Sequence, residues 1–277
     1  MTTRLRNVFY WMFFSLMLLL GLLCIGLGIY AVASESLSLA ETDAGTVIAI
    51  NVGAAGSTGN REGIGLADAL SAALVGGSSF VLSLVMSIIF FRFFKPLADS
   101  QMLFFFLFFF SLSFELIKPL SFLTKIFILP ESLSLFLSQV SFFGYLIGLF
   151  SMFLVSLYQI KYRHQGIAMM FVIIVSTVLT VLVPMDTSTF HNFIYSSIYR
   201  SEVLRMAQGI IIVTAAGYVI HKGRENLVRM LSVFFMMTGH SLVHFTLDPA
   251  ILISGETMLF CGVIIYVIQL FRAYFWY

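Results

Sequence analysis

Residues 102–119 read MLFFFLFFFSLSFELIKP, and this stretch decides the fold. Its first eleven residues contain a single polar side chain, Ser111. An α-helix rises about 1.5 Å per residue, so about 20 residues cross roughly 30 Å of hydrocarbon. In water, such a helix would need the rest of the chain to wrap it and still present a polar surface. The rest of the chain lacks the charge for that. The 277 residues are 60% hydrophobic and 10% charged, with 31 phenylalanines, and the mean hydropathy is +1.02. A soluble domain carries roughly 25% charged residues. Lipid is the solvent that accepts this surface.

Seven more stretches of similar character flank the first. They are Val8 to Val32, about Leu70 to Phe91, Leu133 to Ile160, Ile167 to Val183, Val203 to Ile220, Leu227 to Leu247, and about Thr257 to Tyr277; the opening stretch itself extends to about Thr124. The runs are unbroken, whereas strands of a membrane barrel alternate over about ten residues. The expected fold is therefore all-α, a polytopic transmembrane helical bundle of about eight spans.

Basic residues give the orientation. Arg4 and Arg6 precede the first span; Arg92 and Lys95, Lys161 and Arg163, and Lys222, Arg224 and Arg229 fall in alternate loops; Arg272 lies near the C-terminus. The other loops collect acids, among them Glu35, Glu41, Asp43, Asp186, Asp248 and Glu256. Both ends are expected in the cytoplasm, within a bacterial cytoplasmic membrane. Residues 1–33 read as an N-terminal anchor or a signal peptide, because Ala31-Val32-Ala33 has the small residues of a cleavage site. Cleavage would leave seven helices. Residues 34–69 read as an extracytoplasmic Gly/Ser-rich loop, with a short strand at Thr46–Val52, and residues 70–277 as a seven-helix bundle. The loop's five spaced glycines lack the lysine and hydroxyl of a phosphate loop. Cys24 and Cys261 each sit in an apolar run and imply no disulfide framework. A net charge of +2 points to no nucleic-acid partner.

Ionisable side chains inside spans are costly and mark candidate sites. His240 and His244 stand four apart, on one helical face, where both imidazoles can reach one metal. His191 or Asp186, just past the fifth span, would supply a third ligand for zinc. Polar ties between helices are the alternative role for the pair. Asp248, before Pro249, reads as a cap of the outer loop. Glu115 and Lys118 are spaced to pair, and Pro119 after them kinks the helix; Lys118 could instead snorkel to the interface. Arg205 lies one turn into the sixth span, with Arg200 and Glu202 before it, and offers a fork to an anion or to Glu115. The run Phe104–Phe110 is a lipid-facing or bundle-filling stripe.

The motif His240-Ser-Leu-Val-His244 resembles the H-x-x-x-H on the last helix of seven-helix membrane hydrolases such as alkaline ceramidases and adiponectin-receptor-like proteins. That resemblance implies a metal-dependent hydrolase acting on a lipid amide or ester. Those families also carry an S-x-x-x-H on an early helix, and here the early spans hold no histidine. An outside segment followed by seven helices is similar in outline to bacterial seven-helix sensor regions. The leading expectation is a receptor-like multi-pass module, acting in extracytoplasmic sensing or as a subunit of a membrane complex. Its partner would lie in the membrane or carry a cytoplasmic output domain. A secondary transporter with a polar site near Glu115, Lys118 and Arg205 is the first alternative, and the metal hydrolase at His240 and His244 the second.

Overall fold

A computed structural model of the chain describes residues 3–41, 66–94, 100–119, 131–158, 165–183, 197–222, 227–246 and 248–275. Side chains are described within 7–26, 73–93, 101–119, 135–156, 167–183, 203–217, 227–246 and 248–273. Among the described residues every regular element is a helix. We number them α1 (Thr3–Glu41), α2 (Leu66–Ile89, continued by a π-helical turn Phe90–Phe94), α3 (Ser100–Leu112, tightening into a 3-10 turn Ser113–Leu116), α4 (Glu131–Tyr158), α5 (Gln165–Leu182), α6 (Ser197–Lys222), α7 (Leu227–Phe245) and α8 (Pro249–Phe275).

Among the described residues six segments are long and apolar enough to cross a bilayer: Asn7–Gly26, Ala73–Phe93, Gln101–Pro119, Leu135–Ser156, Leu227–Phe245 and Pro249–Ala273. Ile167–Leu182 and Val203–Gly217 are apolar but shorter. Leu19, Leu22, Leu74, Ile167, Val181 and Ile253 stand exposed on outward faces. Large apolar side chains facing outward suit hydrocarbon and not water. The protein is an integral membrane protein of the helical-bundle type.

Several helices run beyond the sequence reading, and two of these differences change the assignment of a segment. α1 runs on through SESLSLAE to Glu41, because Leu, Ala and Glu are good helix formers. Residues 34–41, and 66–69 at the other end of the same loop, are therefore helical, while Thr46–Val52 lies outside the described residues. α8 begins at Pro249 and not near Thr257. Asp248 Oδ1 accepts the Ala250 N–H at 2.9 Å, and its carbonyl accepts the Leu252 N–H at 2.8 Å. Pro249 follows at the first helical position, where it has no N–H to leave orphaned. Asp248 is thus the N-cap of the last helix, and Glu256 is carried inside the bundle.

The core is built around α3. Each residue from Met102 to Leu112 is buried, with α1, α2 and α4 packed round it. The Phe104–Phe110 run fills the bundle and does not face lipid. Gly144 and Gly148, one turn apart on α4, let α3 come close. A Cβ on Gly144 would lie 2.4 Å from Phe114 Cβ, and one on Gly148 would lie 2.3 Å from Ser111 Oγ. Spaced glycines of this kind replace side-chain bulk with backbone contact, the usual device between helices in lipid.

α7 and α8 pack on each other in the same way through Gly239, Gly255 and Gly262. At one end of the bundle Trp11 meets Phe91 at 5.1 Å and Phe93 meets Phe271 at 5.6 Å. The start of α1 and the ends of α2 and α8 therefore lie together. At the opposite end Gly76, the end of α3, Val243 and Leu252 enclose one small cavity.

Candidate functional site

Three local features shape the end of α3. Ser113 Oγ donates to the Phe110 carbonyl at 2.6 Å, and the backbone tightens into the 3-10 turn. Pro119 has no N–H to offer the Glu115 carbonyl four residues back. Gly76 of α2 sits against that carbonyl, where a Cβ would be 2.9 Å away. In a tightened turn, residues three apart come to lie one above the other. Glu115 and Lys118 consequently share a face, and it is the inward one.

The Glu115 carboxylate is 1% exposed. Its Oε2 lies 2.9 Å from Lys118 Nζ. Its Oε1 accepts the N–H of His244 Nδ1 at 3.1 Å, with His240 Nδ1 at 3.8 Å from the same oxygen. Lys118 Nζ also donates to the Val243 carbonyl on α7. Lys118, His240 and His244 are all buried. Burying an ion pair costs several kcal/mol of desolvation for each partner, by order of magnitude. That cost is met only where further hydrogen bonds complete the shell, and here α7 supplies them.

Aromatic rings wall the imidazoles. Tyr145 of α4 stacks on His244 at 4.4 Å with 9° between planes, and its hydroxyl meets Ser241 Oγ at 3.0 Å. Phe108 presents an edge to His240 at 5.7 Å. Neither nitrogen of His240 closes a hydrogen bond of normal geometry. The oxygens beside its ring are Glu115 Oε1 and the Tyr145 backbone carbonyl. The cavity between Gly76, Glu115, Lys118, Val243, Thr246 and Leu252 measures about 10 Å³, the room needed by one water.

The two clusters that the sequence presents separately, Glu115 with Lys118 and His240 with His244, form one site. Lys118 points inward and does not snorkel. Arg205 is exposed on α6, which packs chiefly on α4 and α7 and not on the turn that carries Glu115. His191 and Asp186 lie outside the described residues. Among the described residues no group of three His, Cys, Asp or Glu is placed to hold a metal ion. The two imidazoles turn to Glu115 instead. The Lys118 ammonium on that carboxylate opposes a second cation, so the described donors do not fit zinc.

Sequence reading passes over Tyr145, Ser241, Ser78 and Ser79, and it places Glu256 in an outer loop, whereas the structure carries it inside α8. The signal for Glu256 was present in Asp248-Pro249, a helix start eight residues earlier. Ser78 Oγ and Ser79 Oγ of α2 lie 2.9 and 3.0 Å from the two Glu256 oxygens. Set against known protein families, curated proteins and solved structures, the chain matches none of them.

Proposed function

We propose that this protein is a receptor-like module of a bacterial cytoplasmic membrane, crossing it eight times with both ends inside, and that it acts in extracytoplasmic sensing through a protein partner. One observation carries the reading. A single buried carboxylate, Glu115, binds Lys118 beside it and His244 across from it, while Lys118 holds the Val243 carbonyl. Charge thus joins the end of α3 to the end of α7. An element held by one ion-pair network has two discrete states, paired and parted, and a stimulus acts by favouring one of them. The basic ends of α1, α2 and α8 gather at the opposite end of the bundle, which supports placing that end in the cytoplasm and the Glu115 site toward the outside.

The test is to purify the complex from native membranes in mild detergent. A stoichiometric partner with a soluble output domain is the expected result, and its output should change in the double variant Glu115→Gln with Lys118→Met. A chain that purifies alone counts against sensing through a partner. It directs attention to a second reading, a secondary transporter, favoured by four ionisable side chains meeting inside the bundle. In that case the same double variant should abolish proton-driven uptake in reconstituted vesicles. Unchanged uptake removes the site from transport.

A further inference from the structure

Glu256 stands in the third turn of α8 and is 9% exposed. Among the described residues no lysine, arginine or histidine nitrogen lies within ion-pair distance of it. The charged groups that reach it electrostatically, among the described residues, are Lys118 and Glu115, both from the end of α3. Among the described residues α2 faces it with hydroxyls only, and the imidazoles of α7 turn to Glu115. Glu115 and Lys118 cancel. An ionised Glu256 would leave one uncompensated negative charge inside the bundle, a costly state.

The hydrogen bonds point the same way, independently of the charge count. Ser78 Oγ lies 2.9 Å from the Val75 carbonyl and 2.9 Å from Glu256 Oε1. A hydroxyl has one hydrogen to give. The carbonyl can only accept, and back-bonding of this kind occupies the hydrogen of a serine inside a helix. The contact between Ser78 Oγ and Oε1 then needs its hydrogen from the carboxyl group. Ser79 Oγ, 3.0 Å from Oε2, donates to the remaining oxygen.

We propose that Glu256 is a proton-binding site, a neutral carboxylic acid that donates to Ser78, accepts from Ser79 and so joins α8 to α2. This rests on the α2–α8 geometry and not on the sensing reading. The proton exchanges with water. When it leaves, Ser78 and Oε1 face each other with no hydrogen between them unless Ser78 gives up Val75. Two carboxylates then compete for Lys118. Proton occupancy at Glu256 and the pairing of Lys118 with Glu115 are therefore linked.

Infrared spectroscopy of the purified full chain in nanodiscs tests this. At neutral pH the wild type should show the carbonyl stretch of a protonated carboxylic acid, lost in Glu256→Gln and kept in the Glu115→Gln, Lys118→Met double variant. Raising the pH should bleach the band and raise carboxylate bands in step; added sodium at constant pH should leave it unchanged. Superimposable wild-type and Glu256→Gln spectra overturn the proposal, as does a band removed by sodium, which would mean a metal cation in place of the proton. Glu256→Gln keeps a donor for Ser78 and an acceptor for Ser79, which favours folding. Should it fail to fold, Ser79→Ala decides: the band moves to higher wavenumber when its carbonyl loses a donor, and an unmoved band refutes the assignment.

Discussion

Lys118→Met is expected to remove most folded protein from detergent extracts, and adding Glu115→Gln to it is expected to bring the folded protein back. The single change leaves the Glu115 carboxylate buried beside two imidazoles with no ammonium. Removing one partner of a buried pair costs about 3–5 kcal/mol, against a total stability of about 5–15 kcal/mol for a typical protein. The double change removes both charges together and keeps a side-chain acceptor for the His244 N–H. Replacing a whole buried pair by neutral groups of similar volume is close to neutral. Size-exclusion chromatography after graded heating reads both variants. If Lys118→Met were as heat-resistant as the wild type, the pair would not be holding α3 to α7.

The second large effect belongs to the α7–α8 contact. A Cβ on Gly239 would lie 2.5 Å from the Gly255 carbonyl oxygen and 2.6 Å from Leu259 N. One on Gly262 would lie 2.7 Å from both the Ser232 carbonyl oxygen and Met236 Cγ. Several of these obstacles are backbone atoms of a packed helix and cannot rotate aside. Gly239→Ala should therefore destabilise by about 3 kcal/mol, the upper end of ordinary overpacking. It should also loosen the grip of Lys118 on Val243, one turn further along α7. Gly26 and Gly209 are the controls, since a Cβ on either meets nothing within 4 Å. Alanine there should leave stability unchanged or raise it by up to about 1 kcal/mol, the difference in helix propensity. Equal melting of Gly239→Ala and Gly26→Ala would contradict the close crossing.

The helices were legible in the sequence wherever one physical quantity decided them. Met102–Pro119 is apolar enough that only lipid or complete burial suits it, and both fit the helix that formed. The start of α8 was obscured because Ser254, Gly255 and Glu256 lower the local hydropathy, while the capping signal at Asp248 and Pro249 is positional. Arg205 lies one turn into its span, and that position alone offers it to Glu115. Helical phase separates them: Val203, Ala207, Ile211 and Thr214 form the buried stripe of α6, and Arg205 lies about 200° round from Val203.

The union of Glu115 with His244 spans 129 positions. It depends on how α3, α4 and α7 pack, through Gly148 above all, whose missing Cβ makes room for both Ser111 and His240. No local spacing encodes that meeting. The spacing of Glu115 and Lys118 encodes only half of the site, and the His240–His244 spacing only the other half.

The i, i+3 spacing of Glu115 and Lys118 also bears on how the chain is made. α3 leaves the ribosome more than a hundred residues before His244 exists, so its charges meet hydrocarbon without the imidazoles that later surround them. A carboxylate carrying its counter-ion three residues away enters the bilayer as a neutral dipole. Pairing lowers the cost of that entry without completing either shell, so the end of α3 stays the costliest part of the nascent bundle until α7 brings the Val243 carbonyl and the His244 N–H to it.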